Sequence, residues 1–279
     1  MKASALILCL FIPLPSLSAQ ESLKQSLVFH ASFDKSMDAD YSTGAKACLS
    51  KQGGKLLPCV PNEEVKLTTT GGKFGGCLHF PKKGVTRPQF SGVNILGYND
   101  KQWSVTVSTW LKLTPDEDLE PGYCDPVQIV GNDTKKGFIF LEWSKNETPR
   151  FFRFAIRPLV EIWNPTNVQW DEIAFDKRPM VQIANAPFMR EKWTHVVFTL
   201  SDINHKTGKP EGSLYLNGDV AGKIQNWDLT FGWDPASAAL VLGASYVGHI
   251  DDLAVFNRAL NADEVRALHQ LAGGVSALK

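Results

Sequence analysis

Two acidic stretches have spacings that invite acid–base chemistry. Trp170-Asp-Glu-Ile-Ala-Phe-Asp176 puts Glu172 and Asp176 on one face if the segment is extended. At ~3.3 Å of rise per residue their backbones then lie about 13 Å apart. Hydrolysis of a glycosidic bond uses carboxyls about 5–5.5 Å apart for retention of configuration and about 6.5–9.5 Å apart for inversion. Glu172 and Asp176 would need a bulge or a sharp convergence to work as a catalytic pair, and no other residues are assigned to catalysis. The second stretch, Asp116-Glu-Asp-Leu-Glu120, lies between Pro115 and Pro121 and reads as a solvated loop. No nucleophile elbow, zinc helix, phosphate loop or dinucleotide fingerprint is present. The six histidines are scattered, and His195 shares a strand face with Trp193 and Val197 as a structural residue would.

Binding chemistry is better represented. Eight tryptophans are many for this length. An exposed aromatic plane offers an apolar surface to the C–H face of a sugar ring, while amides and carboxylates beside it bind hydroxyls. Trp163, Asn167, Trp170 and Asp171 interleave in that way. Trp110 shares its face with Ser104, Thr106 and Ser108, and so could lie on an open sheet. Trp233 follows the last hairpin. These six are the candidate ligand-binding residues. The same aromatics can instead staple a long loop onto the body of the protein.

The elements that must position these side chains are nearly all strands. The clearest is Trp-Ser-Val-Thr-Val-Ser-Thr-Trp-Leu-Lys-Leu (103–113), where Trp103, Val105, Val107, Leu111 and Leu113 alternate with polar positions. Residues 27–33, 77–80, 138–143, 151–157, 193–200, 213–221, 239–243 and 249–256 read the same way. Asn217-Gly218 marks a tight hairpin, because both central residues of such a turn need positive φ. One helix is expected after Asn261, whose side chain and Glu264 form a capping box, with Gly273-Gly274 ending it. The stretch 158–188, with Pro158, Pro165, Pro179 and Pro187, reads as an elaborated insertion. Short strands with a single helix predict an all-β antiparallel sandwich.

The chain opens with Lys2, an apolar run over 5–17 broken by Pro13 and Pro15, and Leu17-Ser18-Ala19. That is the pattern of a secretory signal peptide over 1–19, too short to span a membrane. One domain over 20–279, roughly 260 residues, and an extracellular or periplasmic location are expected. Four cysteines then remain: Cys48, Cys59, Cys77 and Cys124. An even number in an oxidising compartment predicts two disulfides. Of the three connectivities, the short local loop favours Cys48–Cys59 with Cys77–Cys124. Lys plus Arg and Asp plus Glu number 29 each, a formal net charge of zero. That balance excludes binding driven by phosphate neutralisation and a polybasic membrane-surface role. A monomer with no nucleic-acid partner and no membrane span is expected.

Five phrases in a fixed order together resemble the laminin-G-like, or concanavalin A-like, jelly-roll family. They are Phe-His-Ala-Ser-Phe-Asp (29–34), Trp-Ser-Val-Thr-Val-Ser-Thr-Trp (103–110), Trp-Thr-His-Val-Val-Phe-Thr-Leu (193–200), Leu-Tyr-Leu-Asn-Gly (214–218) and Gly-His-Ile-Asp-Asp-Leu-Ala-Val-Phe-Asn-Arg-Ala-Leu (248–260). The resemblance implies two stacked sheets, a jelly roll, with the last strand beside the first. It also implies a structural calcium ion, since Asp34 and Asp251 match the usual ligand positions and Asp252 adjoins them. The alternative is that these carboxylates bond backbone amides inside the fold. The family's glycosidases resemble one another in a Glu-x-Asp-x-Glu or Glu-x-Asp-x-x-Glu strand, which is missing from any strand here. The expected function is therefore non-catalytic recognition of extracellular carbohydrate, a lectin-like role. The alternatives are a divergent glycoside hydrolase or polysaccharide lyase, and a protein–protein adhesion module.

Overall fold

The computed structural model describes residues 17–279. Most of the segment read as a signal peptide lies outside the described residues, and its last three residues open a helix. In chain order the elements begin with α1 (Leu17–Ser26), β1 (Leu27–Ala31), β2 (Tyr41–Ser42), β3 (Leu49–Gln52), β4 (Lys55–Pro58), β5 (Lys66–Thr68), β6 (Cys77–Phe80) and β7 (Gln89–Ser91). They continue with β8 (Trp103–Lys112), α2 (Pro115–Asp118), β9 (Cys124–Val130), β10 (Phe138–Trp143), β11 (Phe152–Arg157), α3 (Val160–Trp163) and β12 (Met180–Ile183). The last are β13 (Thr194–Ile203), β14 (Glu211–Leu216), β15 (Asp219–Ile224), β16 (Ala239–Ala244), β17 (Gly248–Phe256) and α4 (Ala262–His269).

The strands form two antiparallel sheets. The first runs β15-β14-β13-β8-β17-β1-β2, with β6 also on β17 and β5 on β6. The second runs β12-β11-β10-β9-β16-β7-β3-β4. The first and last long strands are neighbours, with His30 opposite Ala254. Period-two alternation sends Trp103, Val105, Val107 and Leu111 of β8, and Ile139, Leu141 and Trp143 of β10, into one core between the sheets. The Asn217-Gly218 turn has the expected positive φ of 52° and 89°, and it joins β14 to β15.

The two outer faces differ. The first sheet turns Val197, Tyr215, Ala254 and Phe256 outward against Leu23 of α1, Val265 and Leu268 of α4, and Val275 and Leu278. Glu264 ties this layer together: it closes the capping box with Asn261, accepts from Arg258 at 2.7 Å and accepts from Ser22 at 2.8 Å. Hydrogen bonding to Arg258 foremost holds the Glu264 carboxyl down at about 2. The second sheet has no such helical cover, and the insertion between β11 and β12 folds over only part of it.

Three elements depart from the sequence reading. Helix α1 was not anticipated, because Ala19 and Leu23 are its only apolar side chains that pack inward among the described ones; tertiary docking on α4, not periodicity, forms it. Strand β9 was hidden by Pro126, which sits where the β9–β10 register shifts between Leu141 and Trp143 and a missing N–H is tolerated. Residues 170–176 are not extended: they form two 3₁₀ turns, Trp170–Glu172 and Phe175–Lys177.

Candidate functional site

Five outward positions of the second sheet lie side by side: Gln89 on β7, Gln128 and Val130 on β9, Phe138 on β10 and Val241 on β16. Together they floor a cavity of about 510 Å³, rimmed by Lys51, Val85, Arg87 and Thr134. Gln89 and Val241 are register partners, and so are Val241 and Gln128, so three adjacent strands present amide, methyl and amide in one row. The Gln128 amide donates to Asp125 Oδ2 at 2.6 Å. That bond fixes the amide plane and leaves its carbonyl oxygen free to accept. Phe138 is half-buried and packs on Phe140, ring centroids 4.7 Å apart, which holds its ring at the groove edge.

Beneath and beyond the groove runs a buried ionic row. Glu142 on β10 and Arg153 on β11 are direct cross-strand partners, with Arg153 Nη1 donating to Glu142 Oε1 at 3.1 Å. Arg153 Nε also donates to Gln182 at 2.7 Å. Burial first, then the charge of Glu142, pushes the Asp125 carboxyl up to about 7. Burial likewise raises the Glu142 carboxyl and brings the Arg157 guanidinium down to about 10. Arg157 lies over four aromatic rings, with centroids at 3.7 Å (Trp170), 4.7 Å (Phe140), 5.1 Å (Trp163) and 5.9 Å (Phe138). Arg178 covers Trp170 at 4.6 Å. The insertion is thus clamped to the sheet by cation–π contacts. A second cavity of about 480 Å³ opens at its edge among Tyr123, Lys145, Asn146, Glu147, Arg153, Asp171 and Arg178. There the Tyr123 phenol donates to Asp171, and burial raises the Tyr123 hydroxyl further above its ordinary range.

The candidate ligand residues from the sequence divide. Trp163 and Trp170 do lie on this sheet, stacked edge to face with centroids 5.6 Å apart, but their rings grip Arg157. Asp171 reaches the second cavity, and Asn167 sits exposed in a left-handed turn with φ 51°. Trp110 is not on an open face: α4 covers it, and it packs against His195 at 4.7 Å and His269 at 5.3 Å, which also stack on each other at 5.3 Å. Trp233 is also buried, donating to Gly137 O at 2.8 Å. It packs so closely over Gly131 that a Cβ there would come within 2.3 Å of the ring. Glu172 accepts from the Gln169 N–H at 3.3 Å as part of a capping box. Asp176 is an exposed partner of Lys177 at 3.6 Å. Neither lines either of the two cavities described above.

The acidic residues expected to hold calcium are committed elsewhere. Asp34 accepts from Gly76 N–H at 2.7 Å. Asp251 accepts from Lys73 and Phe74 through Oδ2 at 2.6 and 3.1 Å, and from Asp252 N–H through Oδ1 at 2.7 Å. Asp252 turns the opposite way, to His30 Nε2 at 2.7 Å and Val275 N–H at 3.0 Å. Calcium takes six to eight oxygens. Here both oxygens of Asp251 and of Asp252 already have partners, and burial raises the Asp251 carboxyl to about 7. Among the described residues no three His, Cys, Asp or Glu side chains converge on one point. The set does not fit a calcium shell; these carboxylates instead tie the 71–76 loop and the chain's end to β17.

All four cysteines are buried thiols. Cys48 and Cys59 face each other at the base of the β3–β4 hairpin, joined by a backbone bond of 2.8 Å, and their thiols interact directly. Cys77 and Cys124 lie in different sheets with separate partners, Thr68 Oγ1 at 3.1 Å for Cys77 and the Gly122 carbonyl at 3.5 Å for Cys124.

Sequence reasoning missed Gln89, Gln128, Phe138 and the ionic row. A signal existed: in Phe-Ile-Phe-Leu-Glu-Trp (138–143) and Phe-Arg-Phe-Ala-Ile-Arg (152–157) the charges fall at alternate positions, Glu142, Arg153 and Arg157, opposite the core residues.

A search of curated proteins finds no match to the chain. Solved structures similar to it share its fold at low identity. The ligand-binding domain of botulinum neurotoxin serotype D, in complex with N-acetylneuraminic acid, is 13% identical with a TM-score of 0.54 over 90% of this chain and 52% of that one; the chain thus spans about half the length of that domain. Domain 4 of an extracellular arabinanase from Geobacillus stearothermophilus, in complex with arabinotriose, is 17% identical with a TM-score of 0.50 over 86% of this chain and 97% of that one. A Trypanosoma rangeli sialidase is 16% identical with a TM-score of 0.53, covering 90% of this chain and 34% of that one. The family model described as the concanavalin A-like lectin/glucanases superfamily matches residues 91–266. That match takes in every strand from β8 to β17, and with them strands of both sheets: the chain belongs to the concanavalin A-like lectin/glucanases superfamily.

Proposed function

We propose that the chain is an exported, non-catalytic carbohydrate-binding domain whose glycan lies across the open face of the second sheet. The observation that carries this reading is the row Gln89, Val241 and Gln128 with Phe138 at its edge, in a cavity of about 510 Å³. Amides serve the hydroxyls of a sugar, and the ring and methyls serve its C–H face. Structures with this fold include the toxin domain bound to N-acetylneuraminic acid and the arabinanase domain bound to arabinotriose, which accords with the reading. Affinity electrophoresis of the mature chain through a panel of polysaccharides tests it. Retardation by at least one polymer, lost in Phe138→Ala and Gln128→Ala, is expected. Retardation unchanged in both variants would place binding elsewhere, and none by any polymer would leave the adhesion role.

A second reading has one specific observation behind it. Asp125 and Glu142 are two carboxyls in one buried row, with Asp125 raised to about 7 as a general acid would be. Both are bonded to protein partners, Gln128 and Arg153, and neither lines a cavity, so binding is the better-supported role. Shortening of a retained polymer, abolished by Asp125→Asn, would reverse that order.

A further inference from the structure

We propose that the groove on the second sheet is selective for an anionic saccharide, its carboxylate or sulfate held between Lys51 and Arg87. This rests on the carbohydrate-binding reading and names the ligand class of the same site. The groove's charged lining is entirely basic: Lys51 on β3 and Arg87 just before β7 stand at its rim, and no acidic side chain lines it. Neither cation has an ion pair or a side-chain hydrogen bond among the described residues. Other cations, Lys82, Arg153, Arg190, Lys223 and Arg258 among them, do lie within 4.0 Å of a carboxylate oxygen; Lys51 and Arg87 have no such partner to give up. Arg87 does feel a carboxylate, that of Asp125. Asp125, however, is buried below Gln128 and already accepts from it at 2.6 Å.

Both cations stand on braced backbone. Glu64 accepts the N–H groups of Val85 at 2.9 Å and Thr86 at 2.7 Å, which fixes the loop one residue before Arg87. Lys51 stands on the hairpin closed by Cys48 and Cys59. Holding two donors in place before the ligand arrives lowers the ordering cost of binding. Arg offers a planar fork that matches a carboxylate or sulfate, while Lys supplies a mobile point charge. Between them the floor offers what a sugar ring needs, the free carbonyl oxygen of Gln128 and the Gln89 amide. The anion and the ring are thus read by different walls of one groove.

Affinity electrophoresis of the mature chain against four probes tests the proposal: polygalacturonate, dextran sulfate, unmodified dextran and inorganic polyphosphate. Binding to at least one acidic polysaccharide about 10-fold tighter than to dextran is expected, and the preferred one tells carboxylate from sulfate. The preference should vanish in the Lys51→Gln/Arg87→Gln double variant. It should persist in Lys101→Gln/Lys206→Gln, which removes the same charge from exposed positions elsewhere. It should also weaken as NaCl rises from 0.05 to 0.5 M, because exposed charges are screened. Equal loss in the control variant, or polyphosphate binding as tight as that of the acidic polysaccharide, would overturn it. Tight dextran binding that Phe138→Ala abolishes and the double variant leaves intact would also overturn it, while the carbohydrate-binding reading stood. If Phe138→Ala and Gln128→Ala leave every probe unaffected, the carbohydrate-binding reading fails as well.

Discussion

Replacing Arg153 with Met should destabilise the protein by about 3–5 kcal/mol at pH 8. The Arg153 side chain is 6% exposed and so is that of Glu142, its 3.1 Å partner. Removing one member of a buried pair leaves the other charge desolvated, which costs far more than an exposed pair, worth about 0.2–1 kcal/mol. The change also strands the Gln182 carbonyl, which accepts from Arg153 Nε at 2.7 Å. For a domain of this size, 1 kcal/mol moves the Tm by about 2–4 °C, so a fall of roughly 6–20 °C is expected by scanning calorimetry. The sign of the pH dependence is distinctive. Burial already raises the Glu142 carboxyl in the folded protein, and loss of the Arg153 charge raises it further. A carboxyl raised on folding contributes its stability below its unfolded pKa and loses it as pH rises through the folded pKa. The penalty of Arg153→Met should therefore shrink as pH is lowered from 8 to 5, where Glu142 can take up a proton. The double variant Glu142→Gln/Arg153→Met should recover most of the loss at pH 8. A fall below about 1 kcal/mol at pH 8, typical of a surface pair, would refute the claim that Glu142 and Arg153 are a buried pair.

Three further outcomes follow from buried groups. Asp251 is raised from 3.8 to about 7, so Asp251→Asn should gain on the native protein by up to about 4 kcal/mol between pH 4 and 8; parallel Tm curves would contradict the burial argument. Excess chelator should move the Tm by less than about 1 °C, since a structural metal stabilises by mass action; a larger drop reversed by added calcium would show that the Asp34–Asp251 carboxylates give up their amides. In protein from an oxidising compartment, peptide mapping should find Cys48 joined to Cys59. An opposed pair carrying a backbone bond has Cα atoms about 5.5 Å apart, within disulfide reach. Cys77 and Cys124 should react as free thiols after unfolding, and a Cys77–Cys124 peptide would refute the placement of those residues.

The fold was legible because it rests on period-two alternation and turn chemistry. Residues 103–113 split into faces as their spacing predicts, and Asn217-Gly218 turns as its backbone preference demands. The capping box at Asn261 and Glu264 forms for the same local reason. The site was less legible because spacing along one strand does not say which sheet face stays open. Trp110 sits on an outward position, as read, yet α4 closes over it, and α4 arrives from 150 residues further along the chain. Trp233 was placed by its neighbourhood in the sequence, but Gly131 makes room for it inside and the Gly137 carbonyl accepts its N–H. The 170–176 segment defeats strand logic because Gln169 and Glu172 cap a turn instead.

What decides the open face is the chemistry of the outward positions themselves. The first sheet sends out Val197, Tyr215, Ala254 and Phe256, which gain by meeting the apolar side of a helix. Their loss to solvent would be costly, so α1 and α4 cover them. The second sheet mixes Val130, Phe138 and Val241 with Gln89, Gln128, Glu142, Arg153 and Arg157, whose polar groups no apolar helix face could bury without stranding them. Glu142 and Arg153 satisfy each other, and Arg157 recruits Trp163 and Trp170, so that half is closed by the insertion. Among the described residues the Gln89 side chain bonds no partner, and Gln128 keeps its carbonyl oxygen unused. These amides stay uncovered because water, or a ligand with hydroxyls, is the only partner left that satisfies them.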